Sequence, residues 1–207
     1  MYRAKAKPRP SPFSSGADDQ PKRCAAVSIT LRARLSCMWR NRNSTGSAPA
    51  TKGKGRGFAF ARYKNLGAYC AVAIEVDVEH ESGRVRLGRA VAAVDSGQAV
   101  NPDGIANQVQ GGIVQSASWT LYESVRFDES RILSQDWSTY PILRFGNVPE
   151  SVEVHVIDAP GEPFLGTGEA AQGPTAAAIA NAVANATGMR IRDLPLNAAR
   201  VKAAIGV

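Results

Sequence analysis

The chain has 207 residues, 44% of them hydrophobic, and a net charge of +7 from 25 Lys+Arg against 18 Asp+Glu. That length suits one domain, or one domain with a tail. Three cysteines (Cys24, Cys37 and Cys70) exclude a disulfide framework, and two histidines, His80 and His155, do not make a His-rich zinc site. No apolar run approaches the roughly 18 residues of a membrane-spanning helix.

The charge is unevenly placed. Residues 1–57 carry 13 basic and two acidic side chains, a charge of +11, and the remainder carries −4. The isoelectric point of about 9.6 therefore belongs to the N-terminal quarter, and a nucleic-acid function read from the whole-chain value would be misplaced. Residues 1–56 are rich in Lys, Arg, Pro, Ser and Gly, as in Lys52-Gly53-Lys54-Gly55-Arg56. Their one apolar stretch, 25–31, is too short to offset the entropy of ordering the segment, so the composition predicts a disordered arm. Two alternatives stand beside that: an arm that binds nucleic acid or another acidic partner, and a stretch that is not the domain's natural upstream sequence. No clear signal peptide is present, and the compartment, cytoplasmic or periplasmic, stays open.

From residue 57 onward the pattern is that of a folded α+β domain, 57–207, expected to pack antiparallel strands with two main helices. Residues 68–78 alternate as a strand, Glu81-Ser82-Gly83 turns, and 85–94 return, which predicts an antiparallel hairpin. Asn101-Pro102-Asp103 starts a helix running to about 122, with a cap, a proline at the first position and an acid that suits the helix dipole. Its apolar residues Ile105, Val109, Ile113, Ala117 and Leu121 recur every four positions. Residues 125–150 read as irregular, and 152–157 as a strand. A small-residue helix is expected from 175 to about 186 with Gly188 as its C-terminal cap, and a last short helix at 197–204. Trp119, Trp137, Tyr140 and Phe145 read as core, Cys70 as a small buried hydrophobe, and His155 as a core or edge residue.

Two segments carry chemistry. In Gly166-Thr167-Gly168-Glu169 the glycines admit close approach of a bulky ligand, the helix that follows favours anions, and a carboxylate in such a loop can act as a general base. The same residues also describe a surface glutamate in a glycine-rich turn. In Gln108-Val109-Gln110-Gly111-Gly112-Ile113-Val114-Gln115, the residues Gln108, Gly111, Gly112 and Gln115 share one helical face, and side-chain amides can read a heterocycle through paired donors and acceptors. Close packing against a neighbouring element explains the glycines equally well.

These segments, together with Gly57-Phe58-Ala59-Phe60-Ala61, Val94-Asp95-Ser96-Gly97-Gln98-Ala99-Val100-Asn101-Pro102 and Tyr140-Pro141-Ile142-Leu143-Arg144-Phe145, resemble the C-terminal part of the molybdopterin-binding large subunits of molybdenum hydroxylases. That is the xanthine dehydrogenase and aldehyde oxidase family, and the likeness is strongest to the branch of the isoquinoline 1-oxidoreductase beta subunits. It runs in family order over residues 57–207 and leaves 1–56 unmatched. The resemblance implies one lobe of a larger domain that binds a molybdenum-molybdopterin cofactor, in the cytosine dinucleotide form or a similar one. It implies oxidative hydroxylation of an N-heterocycle or aldehyde, with water as the oxygen source and electrons leaving through an iron–sulfur subunit.

Carried over residue by residue, the resemblance makes Glu169 the general base. Gln108 becomes the pterin-contacting glutamine, and Gly166, Thr167 and Gly168 the loop wrapping the cofactor. Gly111, Gly112 and Gln115 complete the cradle. No protein side chain is expected to ligate the metal. The family's upstream part is not visible in this sequence, so the chain is expected to be inactive alone. The contrasting expectation is a non-catalytic interaction module that acts through its basic arm.

Overall fold

The computed structural model describes residues 53–65 and 67–206. The predicted disorder of the basic arm, and any binding by it, lie almost wholly outside these residues. Within them, four strands form one sheet in the order β1-β2-β3-β4. They are β1 (Lys54–Arg62), β2 (Tyr69–Val78), β3 (Val85–Asp95) and β4 (Ser151–Ile157).

The predicted hairpin is β2 and β3, paired antiparallel from Tyr69↔Asp95 to Val78↔Val85 with a register shift between Ile74 and Val76. Gly83, at φ +73°, makes the turn. The alternation then sorts the side chains: Cys70, Val72, Ile74, Val76 and Val78 enter the main core, and Tyr69, Ala71 and Ala73 face the other way.

The strand β1 is not apparent from the sequence, and the boundary drawn at 56/57 falls inside it. Composition assigns its glycine-rich start to the disordered arm, but the glycines are there for packing. A Cβ on Gly57 would stand 1.9 Å from the carbonyl oxygen of Ala178, and one on Gly55 would stand 2.1 Å from that of Ala182. The backbone of β1 thus lies directly on a helix, which side chains would prevent. Also unforeseen is the parallel pairing of β4 with β3, from Arg89↔Ser151 to Asp95↔Ile157. A parallel neighbour needs a long crossover, and residues 96–150 supply it.

The crossover contains α1 (Pro102–Leu121). The Asn101 side chain accepts from the Gly104 amide at 2.9 Å, as the cap reading requires. Val109, Ile113, Ala117 and Leu121 are buried against the sheet. Next come α2 (Gln172–Thr187), longer at its start than predicted, and α3 (Ala198–Ile205). Gly188 caps α2 in the left-handed conformation, and the Asn197 side chain accepts from the Arg200 amide at 2.9 Å to cap α3. The fold class is α+β, with all three helices contributing to the main core on one face of the sheet.

The aromatic residues of 119–145 correct the sequence reading. Trp119, Trp137 and Phe145 are 41%, 65% and 93% exposed, so these three are surface rather than core. They sit on the outward side of α1 and on the irregular segment after it, which brings no periodic apolar face of its own. Tyr140 is half-buried and donates its hydroxyl to Glu123 at 2.8 Å. Cys70 is fully buried, and His155 is a half-buried residue of the edge strand β4, 3.1 Å from Glu153.

Candidate active site at the Gly166–Glu169 loop

The loop carrying Glu169 is held from four directions. The turn after β3 holds its first part: the Leu165 amide donates to Ser96 O at 2.7 Å, and the Ser96 and Thr167 hydroxyls lie 2.9 Å apart. That turn needs Gly97, at φ +71°, since a Cβ there would stand 2.0 Å from Pro163 O. From the start of β2, the Ala68 amide donates to Gly166 O at 2.9 Å. From α1, Gln108 Nε2 donates to Gly168 O at 2.8 Å. From the turn between β1 and β2, the Tyr63 hydroxyl donates to Glu169 Oε2. The loop leads directly into α2, and the Gln172 amide returns to Glu169 O at 3.2 Å. The carboxylate therefore sits just ahead of a helix N-terminus, where the partial positive charge favours an anion.

The sequence-level candidates occupy different places around this loop. Gln108 and Glu169 share one side of the fold, since Gln108 contacts the residue preceding Glu169. Gln115, two helical turns further along α1, accepts from Gln172 Nε2 at 2.7 Å. Gly111 and Gly166 are open, with nothing within 4 Å of a Cβ placed on either. Gly112 is buried, and a Cβ there would lie 3.4 Å from the Ala171 side chain, so it serves helix packing directly. Glu169 itself remains accessible, its side chain 53% exposed.

Tyr63 and Lys64 are functional candidates that sequence reasoning missed. Lys64 Nζ stands 4.0 Å from Glu169 Oε2 and 5.1 Å from the centroid of the Tyr63 ring. The Tyr63 hydroxyl, and after it the Glu169 charge, hold the Lys64 ammonium above its ordinary pKa. Nothing local in a Tyr-Lys pair at a strand end announces a partner 106 residues away.

The donor set bears on what could be bound. Gln108, Gln115 and Gln172 offer amides, Gly166 and Gly168 offer exposed backbone, and Glu169 offers a carboxylate. Among the described residues no group of three or more His, Cys, Asp or Glu could hold a metal ion. Such a site fits a group recognised through hydrogen bonds to a heterocycle.

Residues 23–149 match the protein family described as the molybdopterin cofactor-binding domain, and the chain belongs to that family. The match begins upstream of the boundary read from composition and ends before the Glu169 loop. Over 139 residues, 67% of this chain, it is 44% identical to a nicotinate dehydrogenase subunit of Pseudomonas putida, of which it covers 12%. It is 31% identical over 132 residues to the beta subunit of isoquinoline 1-oxidoreductase from Brevundimonas diminuta, covering 64% of this chain and 17% of that protein. It is 30% identical over 127 residues to a membrane-bound aldehyde dehydrogenase of Gluconacetobacter polyoxogenes, covering 61% and 16%, whose name carries pyrroloquinoline-quinone instead. Among solved structures, quinoline 2-oxidoreductase from Pseudomonas putida 86 superposes with a TM-score of 0.62 at 26% identity, over 67% of this chain and 18% of that one. The chain thus spans between 12% and 18% of the length of these relatives.

Proposed function

We propose that this chain supplies the general base and part of the pterin cradle of a molybdenum hydroxylase large subunit. The substrate class is an N-heterocycle or an aldehyde, and water is the oxygen source. The observation that carries the reading is the fixed Gly166–Glu169 loop, which presents an accessible carboxylate beside a carbonyl held at 2.8 Å by an amide from α1. A bound molybdenum-pterin cofactor, in a cytosine dinucleotide or related form, would supply the two-electron redox chemistry.

The chain's own residues then have separable tasks. Glu169 takes a proton at a carboxylate oxygen. Gln108 ties the loop to α1 and offers its amide to the pterin, and Gln115 offers a second one. The backbone of Gly166, Thr167 and Gly168 would hold a bound cofactor, the glycines leaving room for its close approach. Gly111 leaves the helix face open, and Gly112 sets the spacing of α1 from the start of α2. The cradle is completed by the upstream part of the subunit, and electrons leave through an iron–sulfur partner. The chain alone is expected to retain little cofactor.

The test is a chimaeric subunit in which this chain completes the upstream part of the Pseudomonas putida nicotinate dehydrogenase subunit, loaded with cofactor. Glu169→Gln keeps the size and most hydrogen bonds but cannot take the proton. Turnover per molybdenum should fall by about 10²–10⁴-fold, with metal content retained. A normal rate per molybdenum would remove Glu169 from the role of base.

A further inference from the structure

We infer that Tyr63 and Lys64 are positioning residues that fix the orientation of the Glu169 carboxylate. The inference rests on the assignment of Glu169 as the base. Both groups address the same oxygen: the Tyr63 hydroxyl donates to Oε2, and Lys64 Nζ stands 4.0 Å from it. Among the described residues no hydrogen bond reaches Oε1. A glutamate carboxylate otherwise rotates broadly about its last torsion. Holding one oxygen defines the direction in which the other is presented, and a base acts only within hydrogen-bond reach of its proton.

The segment carrying the pair is itself tightly determined. The Tyr63 amide donates to Ala68 O at 2.9 Å, and Tyr63 O accepts from the Gly67 amide at 2.7 Å. A Cβ on Gly67 would stand 2.8 Å from both Gly166 O and the Tyr63 ring, so this turn closes directly on the glutamate loop. A Cβ on Gly168 would stand 3.2 Å from the Tyr63 hydroxyl, so glycines flank the phenol on two sides. Lys64 adopts φ 49° and ψ 23°, the left-handed conformation, and is the non-glycine residue with positive φ among those described. Such a conformation strains a lysine, and it persists where the surroundings demand it. Here it puts the ammonium against both the Tyr63 ring and Glu169.

The two contributions differ in kind. Lys64 and Glu169 are both well exposed, so their ion pair is screened and acts weakly. The Tyr63 bond is directional and carries most of the positioning.

Two measurements test the inference. In the full 207-residue chain, the Glu169 side-chain carboxyl ¹³C resonance, identified by its loss in Glu169→Gln, should move in Tyr63→Phe. An unmoved resonance overturns the inference, because the phenol would not be touching the carboxylate. In the chimaeric, cofactor-loaded subunit, Tyr63→Phe should lower kcat by about 10- to 100-fold with KM and molybdenum content unchanged. Lys64→Gln, a surface change that spares folding, should lower kcat by only about two- to threefold, with Lys64→Arg restoring it. A normal kcat in Tyr63→Phe beside an inactive Glu169→Gln overturns the positioning role alone. A normal rate in Glu169→Gln overturns the base assignment beneath it. A loss of molybdenum in step with the loss of rate in Tyr63→Phe makes the tyrosine structural and also overturns the inference.

Discussion

Gln108 and Gly168, 60 residues apart in the chain, are joined by a 2.8 Å hydrogen bond from the Gln108 amide to the Gly168 carbonyl. The bond ties the first half of α1 to the loop carrying Glu169. Gln108→Ala removes this tie and an amide offered to the cofactor. The net loss should be about 1 kcal/mol, or roughly fivefold in cofactor affinity. Molybdenum content of the chimaeric subunit should fall while the rate per bound molybdenum changes little. In the chain alone, amide exchange across residues 166–169 should quicken. A full metal content with a depressed rate would exchange the roles drawn for Gln108 and Glu169.

Gly57 and Gly111 form a matched pair for the packing argument. At Gly57 a Cβ would meet the α2 backbone at 1.9 Å, whereas at Gly111 nothing lies within 4 Å. Gly57→Ala must push β1 away from α2 and should cost about 1–3 kcal/mol or more. Gly111→Ala, inside α1, should be neutral or stabilise by up to about 1 kcal/mol. Thermal unfolding of the two variants should therefore shift in opposite directions, or for Gly57→Ala alone. Equal midpoints would mean that β1 does not lie against α2.

Legibility in the sequence follows physical scale. The hairpin is readable because alternation is local and Gly83 supplies its turn. The three helices are readable from Asn101, Gly188 and Asn197, whose caps need only neighbouring residues. The strand β1 is not, because Gly55 and Gly57 answer to Ala178 and Ala182, which lie far along the chain, and out of that context they look like the end of the basic arm. The parallel β3–β4 pairing depends on the whole crossover. In the site, Gln108 and Glu169 stand out through their resemblance to a known pattern. Tyr63 has no such marker. Trp119, Trp137 and Phe145 mislead because bulk alone does not say which side of an element a residue faces.

Cys70 is fully buried in β2, and burial pushes its thiol up to about 12. Thiolate is the reactive form, so Cys70 should be inert at neutral pH. In a Cys24→Ser/Cys37→Ser chain, a thiol reagent should find no reactive group under native conditions and one equivalent in denaturant. Labelling at the rate of a free thiol without denaturant would contradict the packing of β2 beneath the helices.

Asp136 organises the turn at residues 135–140, and its chemistry is open to direct titration. Its Oδ1 accepts from the Ser138 amide at 3.0 Å and hydroxyl at 2.6 Å, and from the Thr139 amide and hydroxyl at 2.9 Å each. The Ser138 hydroxyl, followed by the Thr139 amide, lowers the carboxyl from an ordinary 3.8 to about 2. These donors favour the charged form, and protonation removes their acceptor. The sign follows from the depressed folded value. The contribution of Asp136 to stability is fully present above the unfolded pKa near 3.8, and is lost as pH falls from there through about 2. A ¹³C titration of the Asp136 carboxyl should show its midpoint near 2, with the amides of Ser138 and Thr139 shifting in the same interval. Asp136→Asn should make those amide shifts independent of acid across that window. A midpoint at the ordinary value would mean that the turn does not close on this carboxylate.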